Sequence, residues 1–506
     1  MSAPHSPPPS AGFGGSRSTP PDADASGAGD RAASEYDDAD RRAGAGRGDD
    51  RDAGAWSEEA WDAVRDPGDL GDPDSLGDPV LRLNTRADGL HALPGALPGA
   101  GFLDVSHADD RSSGFAGASP GVSPTIASPL SATGAFESAL GARLGPARRL
   151  DGGYELRVRA GGDGVSAHVV SLRPADALRL AEGRPVGEAV GLAAAIFPMS
   201  AAAQTAAALS AAEAALKITI APAHAAARQL MVGFEAAAAC AWRMGLVWPQ
   251  LSGGSAPAEA VQTVRAAADA AAGLLFADGD WARLGGGAPR PDMAGLLERI
   301  GAVRTALRAL APTLDAVTAD APGLPGFDGR SWPLLDENGV ERAAFALAGD
   351  PGFAVRPHLS GRVIEESPRA LLQMWRAEEG LAAWFSAQAQ FALRLPDRLE
   401  AALKSAAPAD TRPAAAKGSG RGWGMAATAR GRIIHWMSVD RGLVSAWRAI
   451  EPSDWNFSPK GPVARAMELF PSDEDLADCG RWVVAAFDPS APCRVMVETA
   501  DGVGHA

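Results

Sequence analysis

The sequence predicts an α+β fold that is predominantly helical. Three observations carry this. Long Ala-rich and amphipathic stretches, several opened by a proline, run through the middle of the chain. Period-two apolar runs joined by turn residues occur only near 154–172 and 431–450. The first 130 residues are dominated by Ser, Pro, Gly, Ala and Asp and hold few groups able to build a core.

Residues 1–130 therefore read as a disordered low-complexity extension, and 133–506 as the folded domain. Within the extension, Ser57 to Val64 could form a short helix capped by Ser57, and Pro79 to Leu90 a short docking segment. Next, Tyr154 to Arg159 alternates apolar and polar, turns at Gly161-Gly162-Asp163-Gly164, and returns through Val165 to Leu172 as a hairpin. Pro174 opens a helix to Ala181, ended by Gly183. Glu188 to Lys217 reads as one helix or two broken at Pro198. Helices follow over Ala223–Val247, Ala258–Phe276 and Met293–Ala309. Gly323 to Arg362 reads as irregular, Pro368 to Leu403 as an amphipathic helical region with a possible break at Pro396, and Ala406 to Gly422 as a linker.

The C-terminal quarter carries the chemistry. Gly431 to Val439 and Leu443 to Ile450 flank the turn Asp440-Arg441-Gly442. A Trp- and Pro-rich loop follows, then a helix around Val463 to Leu469 and a strand-like run, Trp482 to Phe487. This run delivers Asp488-Pro489-Ser490-Ala491-Pro492-Cys493 as a rigid turn, because both prolines fix φ and lack an N–H. Asp488 is expected to orient that turn by accepting backbone N–H bonds. His435 reads as a satisfied core histidine, and Cys240 and Cys479 as packing residues.

Composition narrows the function. The net charge of −15 argues against nucleic acid or anionic lipid as the main partner. Three scattered cysteines form no disulfide framework and suit a reducing, cytoplasmic setting. No secretory signal or membrane-inserting run is expected; the Ala-rich stretch 189–216 comes nearest. Gly285-Gly286-Gly287 lacks the strand and Lys-Ser/Thr of a phosphate loop, and no G-x-S-x-G elbow is present.

Ala429-Arg430-Gly431-Arg432 with His435-Trp436, then Trp455-Asn456, then Asp488-Pro489-Ser490 closing on Cys493, resembles the C-terminal half of nickel–iron hydrogenase large subunits. The D-P-S-x-x-C form is closer to the accessory proteins HupK and HoxV, degenerate relatives of that subunit that act in building its iron cofactor. The resemblance spans roughly Leu150 to Val497 and is strong at its two ends. It implies a large-subunit-like helical bundle with small peripheral hairpins.

It also implies a set of correspondences. Phe197-Pro198-Met199-Ser200 stands where the family has C-G-x-C, and Leu178 where it has a proton-relaying glutamate. The terminal nickel positions become Phe197 and Ser490, and neither can supply a thiolate, so no nickel is expected. The bridging positions become Ser200 and Cys493. Arg430 matches the arginine beside the diatomic ligands of iron, whose guanidinium can donate to cyanide. The resemblance thus points to a non-enzymatic assembly scaffold. It would hold an iron fragment with cyanide and carbon monoxide ligands on Cys493, with Ser200 as a weak second ligand or spacer and Arg430 contacting the cyanides. The implied partners are hydrogenase maturation proteins and the large-subunit precursor. The alternative is a cofactor-free large-subunit mimic that chaperones the precursor or docks maturation proteins. Met496 stands in place of the histidine at which large subunits are processed, so no cleavage is expected.

Overall fold

The computed structural model describes residues 152–499 and 502–505, apart from 175, 278, 280, 328–331, 375–379 and 411–417. The expected low-complexity extension, with the helix expected at Ser57 to Val64 and the docking segment expected at Pro79 to Leu90, lies outside these residues.

The first hairpin forms as its alternation predicts. β1 (Tyr154–Gly161) pairs antiparallel with β2 (Gly164–Ser171), from Tyr154 opposite Ser171 to Gly161 opposite Gly164. Gly164 has φ +113°, which a side chain would oppose. The helix expected from Pro174 is only a 3₁₀ turn, Ala177–Ala181. Short helices at Val186–Ala189 and Leu192–Ile196 precede Pro198, where the helical path bends by 99°. Pro198 cannot donate to the preceding turn and pushes Phe197 out of the helical region, to φ −124° and ψ 69°.

α1 (Ala201–Leu216) follows and is buried nearly all round, including Gln204, Thr205, Ser210 and Glu213. α2 (Pro222–Trp242) runs into a wide π turn, Arg243–Val247, and a last helical piece, Trp248–Ser252. The whole stretch Pro222–Ser252 is long and apolar enough to cross a membrane, but 67% of its most apolar window is buried inside the fold. α3 (Ala258–Leu275) and α4 (Met293–Leu310) complete the helical layer, with Asp292 capping α4 through the Gly295 N–H at 3.1 Å.

Several expectations need correction. The supposedly irregular 323–362 contains α5 (Glu337–Gly349), started by Asp336 accepting from the Gly339 N–H. α6 (Ala382–Lys404) passes through Pro396 without ending. Part of the expected linker is a strand, β3 (Gly420–Thr428), which pairs with β4 (Gly431–Asp440), itself paired with β5 (Leu443–Ile450). β3 lies directly on α1. Cβ atoms at Gly420, Gly422 and Gly424 would fall 2.2, 2.3 and 2.4 Å from Ala215 O, Ala215 N and Ser210 Cβ. Small residues on both surfaces make that approach possible.

After short helices at Pro452–Asn456 and Pro462–Met467, the run Trp482–Phe487 proves to be the end of a helix, α7 (Leu476–Phe487), capped by Asp475. Trp482, Val483, Ala486 and Phe487 are buried at helical spacing, which a short apolar run does not distinguish from a strand. β6 (Cys493–Thr499) then joins β1 in parallel, with Tyr154 opposite Cys493, and β7 (Gly502–His505) completes the sheet in the order β2-β1-β6-β7. One apolar core joins this sheet to α2, α3, α4, α6 and α7.

Candidate functional site

The turn between α7 and β6 is held from three sides. Asp488 has φ +43°, a left-handed conformation uncommon outside glycine and enriched in Asp and Asn. Its carboxylate does not orient the turn by accepting backbone N–H groups. It instead receives Arg243 Nη2 and, at 3.1 Å, Arg430 Nε, which also donates to the Asp488 carbonyl at 3.1 Å. The Ser490 N–H donates to Ser453 Oγ at 2.8 Å, and the Ser490 hydroxyl donates to Glu451. At the far end, the Tyr154 N–H takes Pro492 O at 2.8 Å, fixing Cys493 at the start of β6.

Behind the turn lies a buried polar chain. Arg173, directly after β2, pairs with Glu451 and donates to Tyr154 Oη at 2.8 Å and Asp454 Oδ1 at 3.3 Å. Its guanidinium sits 5.5 Å from the Phe197 ring centre. Gln204 Nε2 reaches the other Glu451 oxygen at 3.0 Å, and Gln204 Oε1 meets His435 Nε2 at 2.6 Å. Trp447 Nε1 donates to His435 Nδ1 at 3.0 Å, so Nε2 carries the proton and donates to Gln204. Burial pushes His435 down to about 3, which keeps it neutral; it is a satisfied core histidine. Burial pushes the Asp454 carboxyl up to about 7, against the pull of Arg173.

The three residues singled out from the sequence occupy the two ends of this region. Ser200 is 6% exposed, at the mouth of α1. Next to it, the Ala202 and Ala203 N–H groups donate to Glu235 at 2.7 and 3.0 Å. Desolvation lifts Glu235 to about 7, although these bonds and the charge of Arg430 pull it down. Arg430 is 8% exposed, its N–H held by Thr428 Oγ1 at 3.0 Å and its Nε by Asp488. Among the described residues, its two terminal nitrogens meet no hydrogen-bond acceptor. Cys493 is half-buried against the core, and desolvation pushes its thiol up to about 12. Arg430 is thus tied to the turn 488–493 that closes on Cys493, and its charge acts on Glu235, which accepts from the N–H groups of Ala202 and Ala203 just after Ser200. No hydrogen bond or ion pair links any two of the three directly.

At the two positions where the resemblance would place terminal nickel ligands, the structure shows other contacts. Phe197 faces a cation, and the Ser490 hydroxyl is bonded to Glu451. Among the described residues, no three His, Cys, Asp or Glu side chains are grouped as a metal cage. What the site offers is one thiol and one guanidinium with open donors. Arg173, Glu235 and Glu451 escaped the sequence reading, and Arg243 entered it only within the stretch Phe234 … Trp242-Arg243 … Trp248-Pro249 that resembles the accessory proteins. Glu235 carried a weak signal, as the one acidic residue of α2.

The model of the Nickel-dependent hydrogenase family matches residues 376–493. The hydrogenase expression/formation protein HoxV of Cupriavidus necator is 30% identical over 185 residues, 34% of this chain and 47% of HoxV. The hydrogenase expression/formation protein HupK of Rhizobium leguminosarum bv. viciae is 28% identical over 235 residues, 42% of this chain and 61% of HupK. The chain thus spans about half the length of these curated relatives. Among solved structures, the Ni-Fe-Se hydrogenase of Desulfomicrobium baculatum aligns with a TM-score of 0.49 at 13% identity, over 66% of this chain and 95% of that one.

Proposed function

Since the chain belongs to the HupK/HoxV family of hydrogenase expression/formation proteins, relatives of the nickel–iron hydrogenase large subunit, we propose that it works in hydrogenase maturation as a carrier of iron bearing cyanide and carbon monoxide. On this reading it is not an enzyme. It accepts the iron fragment from maturation proteins in the cytoplasm and passes it to the large-subunit precursor. The observation that carries the reading is the turn 488–493, with Arg430 gripping its first residue and Cys493 closing it. The terminal nitrogens of Arg430 are donors suited to cyanide nitrogen, and Cys493 is a soft donor suited to iron. Because the thiol is held protonated, loading must release its proton, so a single thiolate gives an anchorage that is readily reversed. Ser200, at the mouth of α1, is a spacer or weak second ligand. Iron content tests this. Protein purified without oxygen after coexpression with maturation proteins should carry near-equimolar iron, and Cys493→Ala should carry background iron. Equal iron in both would remove Cys493 from the account.

A second reading is favoured by one observation. The Arg173–Glu451 pair engages both Phe197 and Ser490, filling with protein charge the positions that correspond to the terminal nickel ligands. A chain built this way suits a cofactor-free mimic of the large subunit that docks maturation proteins or chaperones the precursor. Binding of the precursor that is equally tight with and without iron would support it.

A further inference from the structure

The face of the first sheet turned away from the core carries a separate cluster of charge. Along β1, Leu156 and Val158 point inward, so Arg157 and Arg159 point outward. The register places His168 of β2 opposite Arg157, and sets Ser166 of β2 and Glu498 of β6 on either side of Arg159. These five residues, with Val158, line a cavity of about 160 Å³. Each arginine is held along one edge. Arg157 donates to Glu155 through Nε at 3.1 Å and Nη2 at 2.7 Å, and Arg159 donates to Glu498 Oε2 through Nε at 2.9 Å and through Nη2. Among the described residues, nothing accepts from Nη1 of either arginine, and the Ser166 and His168 side chains have no hydrogen-bond partner. Hydrogen bonding and charge from Arg159, with smaller pulls from His168 and Arg157, hold the Glu498 carboxyl below its ordinary range. Its second oxygen is therefore an open, ionised acceptor.

We propose that this cavity binds a phosphate group, free or carried as a monoester. The open guanidinium edges are forked donors that match phosphate oxygens, and the Ser166 hydroxyl and the His168 ring add further donors. The open Glu498 oxygen separates phosphate from other oxyanions. Phosphate keeps an O–H near neutrality, a monoester's second pKa being about 6, and that O–H can donate to the carboxylate. Sulfate has no proton to give and would meet Glu498 as a like charge. Cys493 stands opposite Tyr154 and packs against the core, on the other face of this sheet, so the site is independent of the carrier reading.

Calorimetric titration of the full chain at pH 6 and constant ionic strength tests the site. Inorganic phosphate or glycerol phosphate should bind saturably, with a Kd below about 1 mM. Tighter binding of the first supports the site and identifies free phosphate as its ligand; tighter binding of the second supports it and identifies a monoester. Sulfate should bind at least about tenfold more weakly than phosphate. Replacing both arginines, Arg157→Met with Arg159→Met, should weaken phosphate by at least about tenfold. Glu498→Gln puts an amide donor where the carboxylate stood and should tighten sulfate about tenfold, a gain that misfolding cannot imitate. The site is overturned by an absence of saturable phosphate binding, by equal affinity for sulfate, by phosphate affinity that survives loss of both arginines, or by sulfate affinity that does not rise in Glu498→Gln.

Discussion

Arg173 and Glu451 lie 278 residues apart in the chain and form an ion pair whose side chains are 12% and 4% exposed. Through it, the first hairpin, the helix at Pro452–Asn456 and the turn carrying Cys493 become one unit. Removing one member of a buried pair leaves an uncompensated charge and costs about 3–5 kcal/mol. Arg173→Met and Glu451→Leu should each lower the denaturant midpoint strongly, while the double substitution should recover much of the loss. A double variant as unstable as the sum of the two would show that the partners act separately.

The contact of β3 with α1 leaves no room for a methyl group. A Cβ at Gly422 would sit 2.3 Å from Ala215 N and 2.5 Å from Ala211 O, both backbone atoms that cannot swing aside. Gly422→Ala should destabilise by about 1–3 kcal/mol, whereas Gly162→Ala, which meets nothing within 4 Å, should be near neutral. Unfolding curves in urea check the contrast.

Glu235 makes stability depend on pH in a defined direction. Its folded value is raised from 4.5 to about 7, so the folded state binds more protons between these limits. This contribution is fully present below pH 4.5 and is lost as pH rises to about 7, by up to about 3 kcal/mol. His435 works oppositely. Its depressed folded value gives stability present above pH 6.5 and lost as pH falls towards 3. The informative measurement is therefore the difference between wild type and Glu235→Gln. The gap should change between pH 4.5 and 7 in favour of the variant as pH rises; a constant gap contradicts the assignment.

Cys493 should react slowly despite being half-buried, because its thiol is pushed up to about 12. Alkylation by iodoacetamide at pH 8 should run at least about 100-fold slower than for an unhindered cysteine. Mass mapping of the modified peptide checks this, and rapid labelling would mean the thiol is not desolvated.

The sequence made some of this legible and left the rest hidden for physical reasons. Both hairpins could be read because period-two alternation and the Asp440-Arg441-Gly442 turn are local signals. The helix starts at Pro222 and Met293 could be read for the same reason. β3 was missed because Gly420, Gly422 and Gly424 look like a flexible linker, when their purpose is the close approach to α1. Trp482–Phe487 was misread because six apolar residues fit a strand or a buried helix equally well. Cys493 and Arg430 carried a motif and could be named. Arg173, which pairs with Glu451, and Glu451, which meets Ser490, carried none, because their partners are set by tertiary contact and not by spacing.

Infrared spectroscopy of anaerobic protein, coexpressed with hydrogenase maturation proteins, tests the carrier reading most directly. Carbonyl and cyanide stretches should be present in the wild type and absent in Cys493→Ala. In Arg430→Met the cyanide stretches should move more than the carbonyl stretch, since on this reading the guanidinium donates to cyanide nitrogen. A wild-type spectrum without either kind of stretch would contradict the account and leave the cofactor-free mimic in its place.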